Sequence, residues 1–530
     1  MHLRLFFVFK MLFFAVILAS CRNIDSKKKQ AQNNNISENV IETKLNIYKT
    51  FQTIHNFGAS DAWSAQFVGK HWPDEIKNNI AKLLFSTLNK KDGSPEGIGL
   101  TAWRFNIGAG TAEQGNHSKI NDEWRRTESF LNKNNTYDWN KQSGQLWFLE
   151  AAKNYGVNTF IGFVNSPPVI YTKNKKAWSN HGMSSNLKED YYVKYADFLS
   201  EVIKGVANKT GVTFDYLSPF NEPQWEWKCC KQEGTPWNNN EIFNAVKEID
   251  LSFNKNNIST KIEVTEAATI NYLYDSGGKH KKGNQIAYFF DKNSTGYIGN
   301  INSVSKKIAG HSYFSTWNAN ALINSRKALN KKIKNIDSSL EYWMTEYCIL
   351  EDNELIKGHG RDLGINPALY IARVIHSDLV FANASAWHWW LAISPYNYKD
   401  GLIYIDNNKF KGNYYESKML WALGHYSRFI KPEMKRISIS RLDNKSAIET
   451  IDGVLQSAYM SDDEIVIVFV NQLDQKKTIK LSGIPKEYKI MEAYQTTKEK
   501  NINLKKMPPL DVNQTFNLPE KSLITCILKK

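Results

Sequence analysis

The sequence predicts a (β/α)₈ barrel, an α/β fold, with a smaller antiparallel β-sandwich at its side. Three observations support this prediction. From about residue 54, apolar strands alternate with amphipathic helices, and each interval between strand ends has room for one helix and two loops. The alternation repeats eight times, the number of strands that closes such a barrel. After about residue 430 the pattern changes to short alternating runs separated by turn residues.

The predicted barrel strands are short apolar runs, and the segments between them carry helical stripes. In one such helix, Tyr192, Leu199 and Val206 are seven residues apart and therefore share one face. The alternative, an open doubly wound sheet, would carry a glycine-rich phosphate loop after the first strand, and residues 55–60 have no such pattern. The predicted strands cover residues 54–60, 100–108, 158–165, 214–221, 261–267, 307–314, 341–348 and 384–391. The predicted helices cover residues 74–85, 189–206, 241–253, 284–290, 319–333, 367–381 and 416–429.

The C-terminal hundred residues predict a β-sandwich that also uses the start of the chain. Its strands are expected at residues 437–442, 453–460, 464–471, 477–481, 489–494 and 522–528. Residues 40–51 alternate in the same way before the barrel begins, so we expect them to add a strand to this sheet. The expected domains are therefore an N-terminal strand (40–53), a barrel (54–430) and a sandwich (431–530).

Residues 1–39 predict export rather than a folded domain. Arg4 precedes an apolar segment, broken only by Lys10, that ends in Leu18-Ala19-Ser20-Cys21, the pattern of a secretory signal. This ending resembles a bacterial lipobox, which implies that Cys21 becomes the lipidated first residue; an ordinary signal with a chance cysteine is the alternative. We expect a signal peptide (1–20), a polar tether (21–39) and a lipid-anchored location in the bacterial cell envelope.

Composition excludes several classes of function. The net charge is +15, but the lysines are spread along the chain without an RNA-binding signature or zinc finger, so we expect no nucleic-acid partner. The four other cysteines have no metal-binding spacing, and we expect neither a metal nor a cofactor. Cys229 and Cys230 either pair with each other or stay free. The 16 Trp and 25 Tyr residues exceed the needs of a core and indicate stacking surfaces.

The stretch Asn221-Glu222-Pro223 ends the fourth predicted strand. Pro223 lacks the N–H that a strand ladder needs, so Glu222 lies at the strand's C-terminal end. An amide on one side and Trp225 and Trp227 on the other give this carboxyl a partly apolar setting that suits a proton donor. The alternative is a solvated glutamate in a turn.

Carboxylates, amides and aromatic rings dominate the other strand ends, which converge on one face of a barrel. With no phosphate loop or thiol nucleophile among them, this set suits sugar chemistry, in which rings stack on the sugar and two carboxyl groups cleave the glycosidic bond. Glu266 and Glu346 compete to be the second carboxylate. We favour Glu346 because the seventh strand faces Glu222 across the barrel mouth, and we expect a structural role for Glu266.

These features carry a family resemblance. An Asn-Glu pair ending strand four, with a glutamate ending strand seven, resembles the clan of retaining (β/α)₈ glycosidases. Trp-Arg-Phe-Asn-Ile-Gly at 103–108, Asn-Ser-Pro-Pro at 165–168, His-Ser-Tyr at 311–313 and Trp-Ala-Leu-Gly-His-Tyr-Ser-Arg-Phe-Ile at 421–430 together resemble glycoside hydrolase family 30. The match covers about residues 40–530. Within the family, residues 221–227 and 231–237 look most like the endo-β-1,6-galactanase branch, whereas Cys229-Cys230 and the basic loop of residues 277–282 lie outside the resemblance.

The resemblance implies retaining hydrolysis of a β-linked polysaccharide. Glu222 would be the acid/base and Glu346 the nucleophile, and Asn221 would bind the 2-hydroxyl of the sugar. The other expected substrate-site residues are Arg104, Asn165, His311 and Tyr313, with Trp225, Trp237 and Trp387 as stacking platforms or core residues. The alternatives are a glucosylceramidase-like β-glucosidase, a β-1,6-glucanase or xylanase of the same family, and a surface lipoprotein that binds glycans without cleaving them.

Overall fold

The computed structural model describes residues 40–530, so the predicted signal peptide, the tether and Cys21 lie outside the described residues. The first strand, β1, spans Val40–Thr53. The eight barrel strands are β2 (Asn56–Ser60), β3 (Ala102–Asn106), β4 (Thr159–Phe163), β5 (Tyr216–Ser218), β6 (Lys261–Ala267), β7 (Val304–His311), β8 (Glu341–Glu346) and β9 (Ala384–Ser394). They are parallel neighbours in this order, and β9 pairs with both β8 and β2, which closes the barrel and confirms the predicted fold class.

Two barrel strands end three residues before their predicted ends, on the side that faces the site. The fourth strand, β5, is only three residues long and stops before Pro219, which has no N–H for the ladder. The sixth strand, β7, begins at Val304 and ends at His311. Tyr313 and Phe314 therefore lie in the loop after β7 instead of within the strand.

Helices connect the barrel strands. Within residues 40–530 they are α1 (Ala65–His71), α2 (Asp74–Phe85), α3 (Thr111–Gln114), α4 (Ser143–Asn154), α5 (Tyr192–Thr210), α6 (Asn239–Lys255), α7 (Asn271–Tyr274), α8 (Gln285–Phe290), α9 (Ala319–Ile336), α10 (Ile365–Phe381), α11 (Lys418–Ser427) and α12 (Ala447–Thr450). The prediction missed α1 and α4, as well as the four-residue helices α3, α7 and α12. No helix in this part of the chain is long and apolar enough to cross a membrane.

A nine-stranded sheet forms the second domain. Its remaining strands are β12 (Lys435–Arg441), β13 (Val454–Met460), β14 (Glu464–Asn471), β15 (Lys477–Ser482), β16 (Ile490–Thr496), β17 (Lys505–Lys506), β18 (Phe516–Leu518) and β19 (Ser522–Lys529). Strand β1 lies inside this sheet, antiparallel to β12 and parallel to β15, and every other pair is antiparallel. A hairpin of β10 (Gly401–Ile405) and β11 (Tyr414–Glu416), which was not predicted, extends the barrel sheet beyond β9.

The sheet folds over its own core and packs its other face on the barrel. Phe469 on β14 and Phe516 on β18 have ring centroids 5.7 Å apart, although four strands separate them in the sheet. On the opposite face, Val468 and Ile527 belong to the same hydrophobic cluster as the barrel helices. The buried His425 of α11 has Nδ1 and Nε2 within 2.8 and 2.9 Å of hydroxyl groups on β19 and β16. The two domains thus share one hydrophobic cluster, while the sandwich keeps a second core of its own.

The cysteines resolve one alternative left by the sequence. Cys229 and Cys230 form a disulfide between adjacent residues in the loop after β5. Cys348 and Cys526 are buried thiols.

Candidate active site

Two glutamates from opposite sides of the barrel mouth face each other. Glu346 is the last residue of β8, and Glu222 follows β5, held by a hydrogen bond from its backbone N–H to the carbonyl of Glu266 at 2.9 Å. One oxygen of each carboxyl group and a ring nitrogen of His311 all lie within 4.8 Å of one another. The barrel topology therefore brings together the two carboxyl groups that the sequence singled out.

Arg104 and Tyr313 hold Glu346 from two directions. The guanidinium Nη1 of Arg104 donates to Oε2 of Glu346 at 3.2 Å, and the hydroxyl of Tyr313 donates to Oε1 at 3.1 Å. Arg104 is fully buried, with its guanidinium carbon 4.4 Å from the ring centre of Phe163. Each oxygen of Glu346 therefore has one fixed donor, which sets the orientation of its carboxylate.

His311 bridges carboxylates instead of contacting only Glu346. Its Nδ1 lies 3.0 Å from Oε1 of Glu222, its Nε2 lies 2.8 Å from Oε2 of Glu266, and Oε1 of Glu346 is 3.7 Å from Nδ1. Burial disfavours a charged ring, but the surrounding carboxylates outweigh it and raise the pKa of His311 to about 10. At neutral pH the ring is an imidazolium that donates to Glu222 and Glu266.

Glu266, the rival candidate for the second carboxylate, has both oxygens occupied. Oε1 accepts from Nη2 of Arg104 at 3.2 Å and from the hydroxyl of Ser218 at 2.9 Å. Oε2 accepts from His311 and from the hydroxyl of Thr345. Burial works against ionisation, but the charges of Arg104 and His311 lower the pKa of Glu266 well below its usual value. Glu266 is thus a buried anion beneath the site, with no oxygen free for a substrate.

Burial changes the acidity of Glu346. Loss of solvent raises the pKa of Glu346 to about 7, in opposition to the positive charges of His311 and Arg104 and with a contribution from the negative charge of Glu222. The carboxyl group therefore changes its charge near neutral pH, which is relevant to any reaction that requires it as an anion.

A row of buried amides lines the mouth beside the carboxyl groups. Nδ2 of Asn221 donates to Oδ1 of Asn165 at 3.0 Å, which leaves Nδ2 of Asn165 and Oδ1 of Asn221 without partners among the described residues. Both side-chain atoms of Asn106 are also unpartnered there. Buried amides need partners, so this row suits the hydroxyl groups of a sugar. Asn106 was not predicted as a site residue, although its position two residues after Arg104 on β3 places both on the same strand face.

Two of the three tryptophans expected as stacking platforms or core residues lie in the core. Trp237 is 1% exposed and packs against Phe220, with ring centroids 5.0 Å apart. Trp387 is fully buried, and its indole N–H donates to Oδ2 of Asp378 on α10 at 2.9 Å. Side chains alternate along a strand, so Trp387 faces the helices. Neither ring has a face available to a sugar.

Other aromatic rings occupy the mouth. On β9 the inward position belongs to Trp390, which the prediction passed over and which meets Trp63 edge to face at 5.3 Å. Trp225, an expected platform, is half-buried. It is close to Glu222, because its backbone N–H donates to the carbonyl of Glu222 at 3.1 Å. Of the three predicted tryptophans, Trp225 alone keeps an accessible surface at the mouth.

Glu222, His311 and Glu346 are the one group of potential metal ligands found within residues 40–530. The donor set does not fit a metal, because a ligating histidine must offer a nitrogen lone pair. Both ring nitrogens of His311 bond to carboxylates, and its pKa is raised to about 10. This cluster instead has the composition of an acid/base pair with a bridging cation.

Comparison with known proteins identifies the family and agrees with the fold. The model of the O-Glycosyl hydrolase family 30 matches residues 40–404. The chain is 33% identical to a conserved exported protein from Bacteroides fragilis, with a TM-score of 0.86 over 92% of this chain and 99% of that one. The catalytic domain of a family 30 xylanase C from Talaromyces cellulolyticus has the same fold, with a TM-score of 0.67 and 23% identity over 92% of this chain and all of the other.

A further relative is similar over part of the chain only. An endo-β-1,6-galactanase from Hypocrea rufa is 23% identical over 246 residues, which are 43% of this chain. The chain spans 50% of the length of that relative. Because the family model covers most of the chain, from the first sandwich strand to the hairpin after the barrel, this protein belongs to glycoside hydrolase family 30.

Proposed function

We propose that this protein is a retaining hydrolase of β-linked polysaccharide, with Glu222 as acid/base and Glu346 as nucleophile. The approach of the two carboxyl groups carries the proposal, because an oxygen of each lies within 4.8 Å of the other. Double displacement uses carboxyl groups about 5 to 5.5 Å apart, whereas inversion needs about 6.5 to 9.5 Å to admit a water between them.

In the first step, protonated Glu222 gives its proton to the leaving glycosidic oxygen while ionised Glu346 attacks the anomeric carbon. The bond from the anomeric carbon to the leaving oxygen breaks, and an ester bond to Glu346 forms. Arg104 and Tyr313 hold the attacking carboxylate, and Asn221 offers its unpartnered Oδ1 to the sugar's 2-hydroxyl. In the second step, Glu222 takes a proton from water, which attacks the anomeric carbon and releases Glu346.

We propose β-1,6-galactan as the substrate. The support is the galactanase-like pattern of residues 221–227 and 231–237, together with the curated relative from Hypocrea rufa. A β-glucosidase, a β-1,6-glucanase and a xylanase are the enzyme alternatives within the family. A barrel that binds glycans without cleaving them is the alternative of a different class, and it has no need of two facing carboxyl groups.

Product analysis on a panel of polysaccharides tests the proposal. The panel contains β-1,6-galactan, β-1,6-glucan, xylan and an aryl β-glucoside, with Glu346→Gln as the inactive control. We expect oligosaccharides from galactan, which indicate internal cleavage. Release of monosaccharide alone would indicate an exo-acting enzyme, cleavage of another polymer would replace the galactan assignment, and binding without products would contradict hydrolysis.

We further propose that the protein is exported and anchored to a membrane of the bacterial cell envelope by lipidation of Cys21. The support is the apolar segment of residues 5–18 followed by Leu-Ala-Ser-Cys at residues 18–21.

A further inference from the structure

Two aromatic rings form an exposed corner at one side of the barrel mouth. Phe314, in the loop after β7, is 50% exposed, and Trp225, in the loop after β5, is half-buried. Their ring centroids are 5.9 Å apart, and the ring planes are at 89° to each other. Neither the sequence prediction nor the proposed reaction assigns a role to Phe314.

The backbone holds Phe314 in this exposed position. Phe314 has a φ of +54°, in the left-handed region that residues with a side chain rarely adopt. The preceding residue, Tyr313, meanwhile donates its hydroxyl to Glu346 at 3.1 Å. This turn therefore holds the side chain of Tyr313 on Glu346 and directs the side chain of Phe314 into solvent. A large apolar side chain held outward by unfavourable backbone geometry points to a ligand that covers it.

Trp225 is fixed by the basic loop that the family resemblance left unexplained. Nζ of Lys279 donates to the carbonyl of Gln224 at 2.7 Å and lies 5.4 Å from the ring centre of Trp225. Lys282, which is buried, donates to the carbonyl of Pro223 at 3.1 Å. Two lysines of this loop thus bind the backbone carbonyls of residues 223 and 224, immediately after Glu222.

We propose that Trp225 and Phe314 form the binding site for the sugar on the leaving-group side of the scissile bond. This inference rests on the proposed function, in which Glu222 protonates the leaving oxygen. Trp225 shares a turn with Glu222, since the backbone N–H of Trp225 donates to the carbonyl of Glu222 at 3.1 Å. Both rings come from loops that flank β6 on the barrel, away from Arg104 on β3.

The two sides of the scissile bond differ in how far the surrounding residues are buried, and this difference agrees with the assignment. The amides of Asn106, Asn165 and Asn221, which would bind the sugar that Glu346 attacks, are buried. The leaving sugar has to depart after the first step, and exposed rings bind the apolar C–H face of a pyranose without enclosing it. The site therefore accepts a neutral sugar as leaving group and, in reverse, as acceptor of the glycosyl group.

Kinetics on two leaving groups test the proposal. The kcat/KM of Phe314→Ala and Trp225→Ala is measured on β-1,6-galactotriose and on a 2,4-dinitrophenyl β-galactoside, whose small leaving group reaches little of the corner. We expect about a tenfold loss on the trisaccharide, as for removal of an apolar contact, and a clearly smaller loss on the aryl galactoside. Transfer of the glycosyl group to added methyl β-galactoside should fall in parallel.

Two controls separate binding from folding. Phe314→Tyr keeps the ring and should keep the preference for the trisaccharide, and Tyr48→Ala removes an exposed ring on β1 and should change neither rate. Equal losses on both substrates, or no loss on the trisaccharide, would overturn the proposal. If the wild-type enzyme cleaves neither galactoside, the substrate assignment fails, and the same comparison is made with oligosaccharides of the polymer that the panel identifies.

Discussion

Nε2 of His311 lies 2.8 Å from Oε2 of Glu266, so the histidine between the two proposed catalytic carboxyl groups rests on a third, buried carboxylate. The negative charge of Glu346 and the bonds to Glu222 and Glu266 together keep the ring positively charged, and the contact with Glu266 fixes its orientation. The charge in turn acts on Glu346, whose Oε1 is 3.7 Å from Nδ1 of the ring. His311 therefore links the acidity of the nucleophile to a residue that the substrate does not touch.

The first prediction concerns pH. Glu346 must be ionised to attack, so kcat/KM should fall as the pH decreases through its pKa of about 7. His311→Asn removes a positive charge that lowers this pKa, and the acidic limb of the profile should move to higher pH. The measurement is kcat/KM against pH for both proteins, with thermal unfolding as a check on folding. An unchanged acidic limb in the variant would contradict the electrostatic role.

The second prediction separates the roles of the glutamates by azide rescue. Glu346→Ala should be inactive until azide replaces the nucleophile and gives a glycosyl azide of inverted configuration. Glu222→Ala should stall as a glycosyl-enzyme on an aryl glycoside with a good leaving group, and azide should release it with retained configuration. Product configuration is read by NMR. An inverted azide from Glu266→Ala, with Glu346→Ala still active, would transfer the nucleophile to β6.

The third prediction concerns a buried ion pair below the loop that carries Tyr313. Nε of Arg326 lies 2.6 Å from Oδ1 of Asp378, both side chains are fully buried, and Asp378 also accepts from the hydroxyl of Ser312 at 3.0 Å. Arg326→Ala leaves an unpaired buried carboxylate, and we expect the unfolding free energy to decrease by about 3 to 5 kcal/mol.

A surface pair is the matched control for this prediction. Nζ of Lys480 and Oε1 of Glu42 are 2.9 Å apart, but both side chains are about half exposed. Lys480→Ala should lower the unfolding free energy by only about 0 to 1 kcal/mol. Denaturant titration of both variants and the wild type measures the two losses. Similar losses at the two positions would show that burial does not set the strength of these pairs.

The fourth prediction concerns the dependence of the barrel on the sandwich. Removal of the sandwich, which comprises β1 and residues 431–530, uncovers the faces of α10 and α11 on which Val468 and Ile527 pack. We expect the fragment of residues 54–430 to be insoluble, because a large apolar surface becomes exposed. The measurement is the soluble fraction and specific activity after expression. A soluble, fully active fragment would rule out a shared interior.

The fifth prediction tests the lipid anchor. Cys21→Ala should move the protein from the membrane fraction to the soluble fraction, because the acylated residue is lost. Cys526→Ala, a change at a buried thiol in the sandwich, is the control and should leave the fractionation unchanged. Unchanged fractionation of the Cys21 variant would refute lipidation at this residue.

The sequence predicted the barrel and the meeting of Glu222 with Glu346 because both depend on topology. Periodic apolar runs determine the number and order of strands, and strand order determines which strand ends lie next to each other at the mouth of the barrel. The contacts of His311 were beyond such reasoning. Its bonds to Glu222 and Glu266 depend on where β7 ends and on side-chain conformations, neither of which has a periodic signal.

Burial of individual tryptophans was equally hard to predict. Trp387, Trp389 and Trp390 lie within four residues of each other on β9. Only the alternation of side chains along the strand distinguishes the inward ring of Trp390 from the outward rings. Asn106 could have been found by the same parity, counted from Arg104. Trp237 lies in an irregular loop, where no periodic rule indicates which side of the chain faces the core.

The place of β1 inside the sandwich has a consequence for biosynthesis. Thr43 pairs with both Arg441 and Leu481, so the earliest strand of the described chain has no partner until the last domain has been made. All the barrel strands are made before that moment, while β1 waits with both edges unpaired. An unpaired alternating strand is a template for association with other chains. Interrupted synthesis or slow export should therefore yield aggregates that form through the N-terminal segment as well as through the uncovered barrel surface.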